Sequence, residues 1–147
     1  KKLKISGYRF DGYYKKIDNI QSFFEFNLDL LKPEIRHELF GSGERYVYTK
    51  VKDSVPTHYG KNAEVKSSFV ADGCRIEGTV ENCIIFRGVK IGKGSTVKNS
   101  IIMQNSDIMD NCSVENAIFD KEVVLRSGKK LIGQGTYPLV IGKKTVV

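Results

Sequence analysis

The chain has 147 residues, 40% hydrophobic and 28% charged, with a formal net charge of +7 from 24 Lys and Arg against 17 Asp and Glu. This is enough apolar material for one ordinary domain or two small ones, and it excludes a disordered chain. No stretch approaches the roughly 18 consecutive apolar residues of a membrane span. No signal-peptide core follows Lys1, which stands where a Met would open a complete chain and reads as the start of a fragment.

The charge is uneven. Residues 1–16 carry six bases against one acid, Asp11, and the remainder carries 18 bases against 16 acids. A nucleic-acid binder spreads its basic surface more widely, so the excess reads as a basic surface or interface segment. Cys74, Cys83 and Cys112 are odd in number and lack CxxC spacing, which indicates neither a zinc site nor a disulfide framework. Reduced cytosolic thiols are expected.

In chain order, residues 1–17 alternate loosely and are rich in Tyr and Phe, which predicts one or two short strands. Ile20, Phe23, Phe24, Leu28 and Leu31 then recur at helical spacing and predict an amphipathic helix over 19–32, N-capped by Asp18 or Asn19 and stopped by Pro33. Its aromatic face requires a packing partner. Pro33 and Glu34 open a second short helix ending at Gly41. A strand-like run follows at 45–51, and the polar stretch around Pro56 reads as a linker.

Beyond the linker the sequence repeats. VENCII (80–85), VKNSII (97–102) and VENAIF (114–119) are spaced by 17 residues, and a looser copy, VKSSFV (65–70), lies 15 before the first. Ile91, Ile108 and Leu125 share a column, as do Val89, Ser106 and Val123. Units this short cannot bury a face alone and must stack. The pattern predicts a three-sided parallel β-helix of hexapeptide repeats rising about 4.8 Å per coil. Val80, Val97 and Val114 point inward, small residues (Cys83, Ser100, Ala117) sit at close turns, and Asn82, Asn99 and Asn116 adopt left-handed turns with a side-chain ladder between coils.

Catalytic groups are sparse. His37 and His58 are the two histidines, and neither lies in the repeats. A hexapeptide acyltransferase needs a basic histidine at a groove between coils; His58 falls in the linker and reads as a surface or loop-packing residue. A three-histidine zinc site is excluded. IGKG (91–94) and IGQG (132–135) lack P-loop spacing and read as coil corners. Asp107, Asp110 and Asp120 are expected at solvated turns, and the cysteines as small core or turn residues.

Three segments together resemble ADP-glucose pyrophosphorylase (glucose-1-phosphate adenylyltransferase). GYYKKIDNI (12–20) followed by FFEFNLDLL (23–31) is similar to that family's G-Y-W-x-D-V-G-T segment and the helix after it. SSFVADGCRIEGTVENCIIFRGVKIG (67–92) resembles the entry into its C-terminal left-handed β-helix, and NAIFDKEVVL (116–125) its last coils. The resemblance implies that Lys16 stands at the position of the family's metal-binding Asp, where an ammonium repels a divalent cation. The metal site is therefore expected to be absent, as in the second, GlgD-type subunit that modulates a catalytic one. No catalytic residue is carried over, because the family's nucleotide loop and sugar-phosphate lysine belong to an N-terminal domain outside these residues. Lys121 matches a basic position associated with phosphorylated effectors.

The expected fold is mainly β: a small α/β remnant of a nucleotidyltransferase domain with its linker (1–55), a left-handed parallel β-helix (56–130), and an extended tail (131–147) to which Leu139, Val140 and Ile141 add a strand. The expected role is regulation and oligomerisation of a cytoplasmic enzyme of glycogen biosynthesis, with Mg²⁺ and catalysis supplied by a partner subunit, a sugar-phosphate effector, and neither nucleic acid nor membrane as partner. The alternatives are a hexapeptide-repeat acyltransferase, whose coils would lack the FFEFNLDLL helix, and another sugar-nucleotide pyrophosphorylase.

Overall fold

The computed structural model describes residues 3–41, 48, 51–135 and 137–147. Asn19 caps α1 (Ile20–Asp29) through a reciprocal capping box: its Oδ1 accepts from Ser22 N at 2.7 Å, and Ser22 Oγ accepts from Asn19 N at 3.1 Å. The helix stops at Asp29, earlier than the expected 32. Lys32 precedes Pro33 and is held extended (ψ 123°), so residues 30–32 can close only short turns. Arg36 Nη1 satisfies the freed carbonyls of Leu30 and Leu31 at 3.1 and 2.7 Å. Pro33 itself opens α2 (Pro33–Phe40), which ends at Gly41 as expected.

The repeats form coils of three short strands. The first coil is β1 (His58–Tyr59), β2 (Glu64–Lys66) and β3 (Phe69–Val70); the second is β4 (Arg75–Ile76), β5 (Thr79–Glu81) and β6 (Ile84–Ile85). The third is β7 (Lys90–Ile91), β8 (Thr96–Lys98) and β9 (Ile101–Ile102), and the fourth is β10 (Asp107–Ile108), β11 (Ser113–Glu115) and β12 (Ala117–Phe119). The fifth is β13 (Val124–Leu125), β14 (Lys130–Ile132) and β15 (Leu139–Ile141). Equivalent strands pair in parallel, giving three five-stranded faces: β1-β4-β7-β10-β13, β2-β5-β8-β11-β14 and β3-β6-β9-β12-β15. The 15- and 17-residue spacings are the observed registers, with Val65 opposite Val80 and Val80 opposite Val97. The predicted solenoid is thus present, and the expected strand at 139–141 is β15, paired with β12. Residues 131–147 are not a departing tail: they complete the fifth coil, and Val146 bridges to Val124.

Inside the prism Ile76, Val80, Ile85, Ile91, Val97, Ile102, Ile108, Val114, Phe119 and Leu125 are all sealed from solvent. Cys83, Ser100 and Ala117 are likewise fully buried at the tight turns. Asn82, Asn99 and Asn116 have φ of 54°, 43° and 49°, the left-handed conformation that Asn tolerates. The ladder is shorter than expected: Asn82 Nδ2 donates to Asn99 Oδ1 at 2.7 Å, whereas Asn116 Nδ2 turns to the Gly133 carbonyl. The second coil is shorter than its neighbours because only Glu77 and Gly78 join β4 to β5. A Cβ on Gly78 would collide with the Ser95 and Gly92 carbonyl oxygens of the next coil.

The β3-β6-β9-β12-β15 face is apolar on its outer side too. Phe24 of α1 packs onto Ile84, Ile101 and Ile118, with Phe23, Leu28 and Leu31 at the margin, so the amphipathic helix has the partner its aromatic face required. Arg36 adds a cation–π contact, 4.7 Å above the Phe69 ring.

Residues 3–17 contain no strand, contrary to expectation. Their polar groups reach the helices instead: Tyr13 N–H donates to the Glu38 carboxylate, and Tyr13 OH and Lys15 Nζ donate to Asp29 at 3.0 and 3.1 Å. Leu3, Ile5, Tyr8 and Tyr14 remain exposed. The expected run at 45–51 lies largely outside the described residues. Among the described residues no helix is long and apolar enough to cross a membrane.

Candidate functional site

Lys16 and Asp18 precede α1 on exposed backbone. Lys16 Nζ lies 3.4 Å from Asp18 Oδ2, and Asp18 Oδ1 also accepts from Asn19 Nδ2 at 3.2 Å. The carboxylate nearest to Lys16 is thus occupied by an ammonium and a cap amide. Among the described residues no group of three His, Cys, Asp or Glu converges on a point where a cation could sit. These residues do not fit a Mg²⁺ site, which needs several hard oxygen ligands.

Next to that segment, Asp29 gathers three donors: Lys32 Nζ at 2.7 Å, Lys15 Nζ at 3.1 Å and Tyr13 OH. Burial pushes the Asp29 carboxyl up, but the hydrogen bonds from Lys32, Lys15 and Tyr13 together outweigh it and hold the group below its ordinary value. A lowered carboxyl contributes stability above its unfolded-state value and loses it as pH falls through the folded-state value. We therefore expect the 13–15 segment to loosen from α1 only in acid, below the ordinary carboxylate range. Asp29→Asn should loosen it at neutral pH and shrink the acid transition to the part carried by Glu38 and by Glu25, which lies 3.3 Å from Lys15 Nζ. The Tyr13 ring resonances in a pH titration of both proteins check this, and an identical acid transition in the variant would refute it.

Lys121 lies at the corner between β12 and β13 and is exposed. Its N–H donates to Asp120 Oδ1 at 2.7 Å, which fixes the turn, and Glu122 takes φ 60°. Corner positions stack: Asn105 N donates to Arg87 O, Glu122 N to Gln104 O, and Lys144 N to Lys121 O, at 2.9–3.0 Å. Arg87, Gln104, Lys121 and Lys143 therefore form one column along the solenoid edge. Glu122 is engaged by Lys144 at 3.6 Å. From residue 123 onward the chain has five bases and no acid, so the final coil is a basic end. Sequence reading missed this column although its first three members keep the 17-residue spacing, because Arg87, Gln104 and Lys121 differ in type and exposed corners do not select one side chain.

Other candidates are placed as follows. His58 does not lie in a linker; it begins β1 and pairs with Arg75, because the solenoid starts there. It lines a notch of about 620 Å³, left by the short second corner, together with Lys61, Glu77 and Lys93. Asp107 is on β10 rather than in a turn, within 4.0 Å of Lys90, because the corner falls two residues later. Asp110 is at a corner as expected, and its Oδ1 accepts from Lys93 N. The three cysteines are free and buried, and burial pushes the Cys83 thiol up to about 12, which keeps it protonated and inert.

Residues 51–136, more than half of the chain, match the family model described as GlmU-like, C-terminal hexapeptide. The chain is similar to the glycogen biosynthesis protein GlgD of Bacillus subtilis (strain 168), 42% identical over 144 residues, which is 98% of the chain and 42% of that relative. It is equally similar to a glucose-1-phosphate adenylyltransferase of Clostridium perfringens (strain SM101 / Type A), 42% identical over 98% of the chain and 37% of the relative. The enzyme of that name from Fervidobacterium nodosum is 36% identical over 91% of the chain and 32% of the relative. The chain thus spans about two fifths of the length, or less, of these curated relatives. Its stacked coils and the match over most of them place it in one family: the chain belongs to the GlmU-like C-terminal hexapeptide family.

Proposed function

We propose that the chain is the regulatory and oligomerisation portion of a glucose-1-phosphate adenylyltransferase subunit in cytoplasmic glycogen biosynthesis, and that the subunit modulates catalysis rather than performing it. The parent reaction joins ATP and glucose 1-phosphate to give ADP-glucose and diphosphate. Identity alone does not separate the two subunit types, because the GlgD and adenylyltransferase relatives are equally similar. The observation that carries the choice is the Lys16–Asp18 pair, at the place where the resemblance puts a metal-binding Asp.

On this reading Mg²⁺ and the reacting groups belong to a catalytic partner subunit. The chain's own residues bind that partner and a missing N-terminal domain, with the exposed apolar residues of 3–14 as part of the contact. Lys121 contributes positive charge toward a phosphorylated effector. Helix α1 docked on the coils is what the adenylyltransferase reading requires, and no observation favours an acyltransferase.

The test is turnover of the full-length subunit alone and with its catalytic partner. Alone it should be at least about a hundredfold slower than the pair, the scale set by losing a group that stabilises transition-state charge. Comparable turnover by the single subunit would refute the modulatory role. In the assembled pair, Lys121→Ala should weaken the response to sugar phosphates, and an unchanged response would remove Lys121 from the effector site.

A further inference from the structure

The corners between the first and second strands of each coil stack on one another, and one of them is short. In the first, third, fourth and fifth coils this corner is four residues long: 60–63, 92–95, 109–112 and 126–129. In the second coil it is Glu77 and Gly78 alone. The missing pair leaves the notch of about 620 Å³ lined by His58, Lys61, Glu77 and Lys93, together with Thr79 and Thr96.

The intact corners show what the notch lacks. At their third position Gly94, Asn111 and Gly128 take left-handed φ of 68°, 57° and 76°. Asn111 N–H donates to the Lys93 carbonyl at 2.8 Å, and Gly128 N–H to the Asp110 carbonyl at 3.0 Å. In the same register Gly94 N–H would donate to a corner residue that the second coil does not have. Gly94 N–H accordingly makes no hydrogen bond among the described residues. Lys61 and Lys93 flank the gap from the corners before and after it, and neither makes an ion pair among the described residues. Glu77 also lines the notch, but Arg75 Nη2 engages its carboxylate at 3.1 Å. The notch thus calls for a carbonyl oxygen at Gly94 and a negative charge between two ammonium groups.

One residue of the chain meets both needs at an intact corner. Asp110 offers its carbonyl to Gly128 N–H, and its Oδ1 accepts from Lys93 N–H at 2.7 Å. We propose that the notch is a docking site for an exposed acidic turn of another protein, an Asp followed by Asn or Gly. The Asp carbonyl accepts from Gly94 N–H, and its carboxylate lies between Lys61 and Lys93. The turn takes the place of the two residues that the second coil omits. Main-chain bonding then supplies affinity, and the paired lysines select an acidic partner. A turn fits better than a free carboxylate, because the gap has the backbone outline of a corner. Neither Lys16 nor Lys121 lines the notch, so the site stands apart from the proposed subunit function.

The experiment is titration of the isotope-labelled chain with a backbone-cyclised peptide of sequence Ile108–Ser113 carrying Cys112→Ser, followed by amide resonances. Saturable shifts are expected, largest at Gly94. The same peptide with Asp110→Asn should bind about fivefold more weakly. Lys61→Ala and Lys93→Ala should each weaken the parent peptide by about fivefold, the upper worth of an ion pair open to water. Lys121→Ala should change nothing. Inserting Asp-Asn between Glu77 and Gly78 should fill the notch, abolish binding and slow exchange of the Gly94 amide. Lys61 and Lys93 are exposed, so their variants decide the matter even if the insertion unfolds the coil. No saturable shift at Gly94, or equal binding of the Asp110→Asn peptide, would overturn the proposal. So would acetate binding as tightly as the peptide, which would mean a free-carboxylate site. A Gly94 shift that grows with the concentration of the chain alone would also overturn it, by making a second copy the occupant.

Discussion

Phe119→Ala should destabilise the solenoid by about 3–5 kcal/mol, the usual cost of emptying an aromatic core position. Phe119 is the largest side chain sealed inside the prism, stacked opposite Ile102 of the third coil and Ile141 of the fifth. Ile102 cannot collapse into the void, because parallel pairing to Ile85 of the second coil fixes it. Stability in a stacked repeat is largely a sum of nearest-neighbour interfaces. The loss should therefore fall first on the fifth coil, which has a partner on one side and only residues 144–147 on the other. Urea unfolding would measure the total, and amide exchange of 124–141 would show the early opening. A change below about 1 kcal/mol would mean that the stack repacks more freely than a dense core permits.

Ile101→Asp should have a comparable local cost and a different outcome. Ile101 is 0% exposed although it is on the outer side of its strand, because α1 covers it. A carboxylate there would face Phe24, Ile84 and Ile118 with no cationic partner, a penalty of several kcal/mol that is relieved if the helix lifts away. The interior face, with Ile102 beside it, is untouched. We expect residues 20–40 to become protease-sensitive while the coils from 58 onward stay resistant and folded. Cleavage rates in both regions check this. Continued protection of α1 would show that the helix is held mainly by its polar contacts, such as those of Asp29 and Arg36.

The repeat was legible because stacking in register gives every seventeenth residue the same environment. The Val80, Val97, Val114 column and the Asn turns could thus be read from spacing alone. The Ile84-Ile85, Ile101-Ile102 and Ile118-Phe119 doublets carried a further signal. Adjacent strand residues point to opposite faces, so two apolar neighbours imply burial on both sides of that sheet. The fifth coil was harder to see. It lacks the hexad, and residues 133–138 lengthen its corner between β14 and β15, so the period breaks where the pairing does not. Residues 3–17 misled in the other direction. Their alternating aromatics suit strands, but they meet helices α1 and α2 and bond through side chains.

The sequence alone determined the solenoid, its inward columns and the two helices, because each depends on local chemistry or on a period that stacking preserves. The tertiary structure decided which face α1 covers, that Lys16 and Asp18 pair, and that Lys61 and Lys93 flank one notch. The first and last of these join residues far apart in the chain, and the spacing of the repeats does not say which corner is two residues short. The basic excess noted first in residues 1–16 acquired a counterpart in the acid-free final coil, at the opposite end of the same chain.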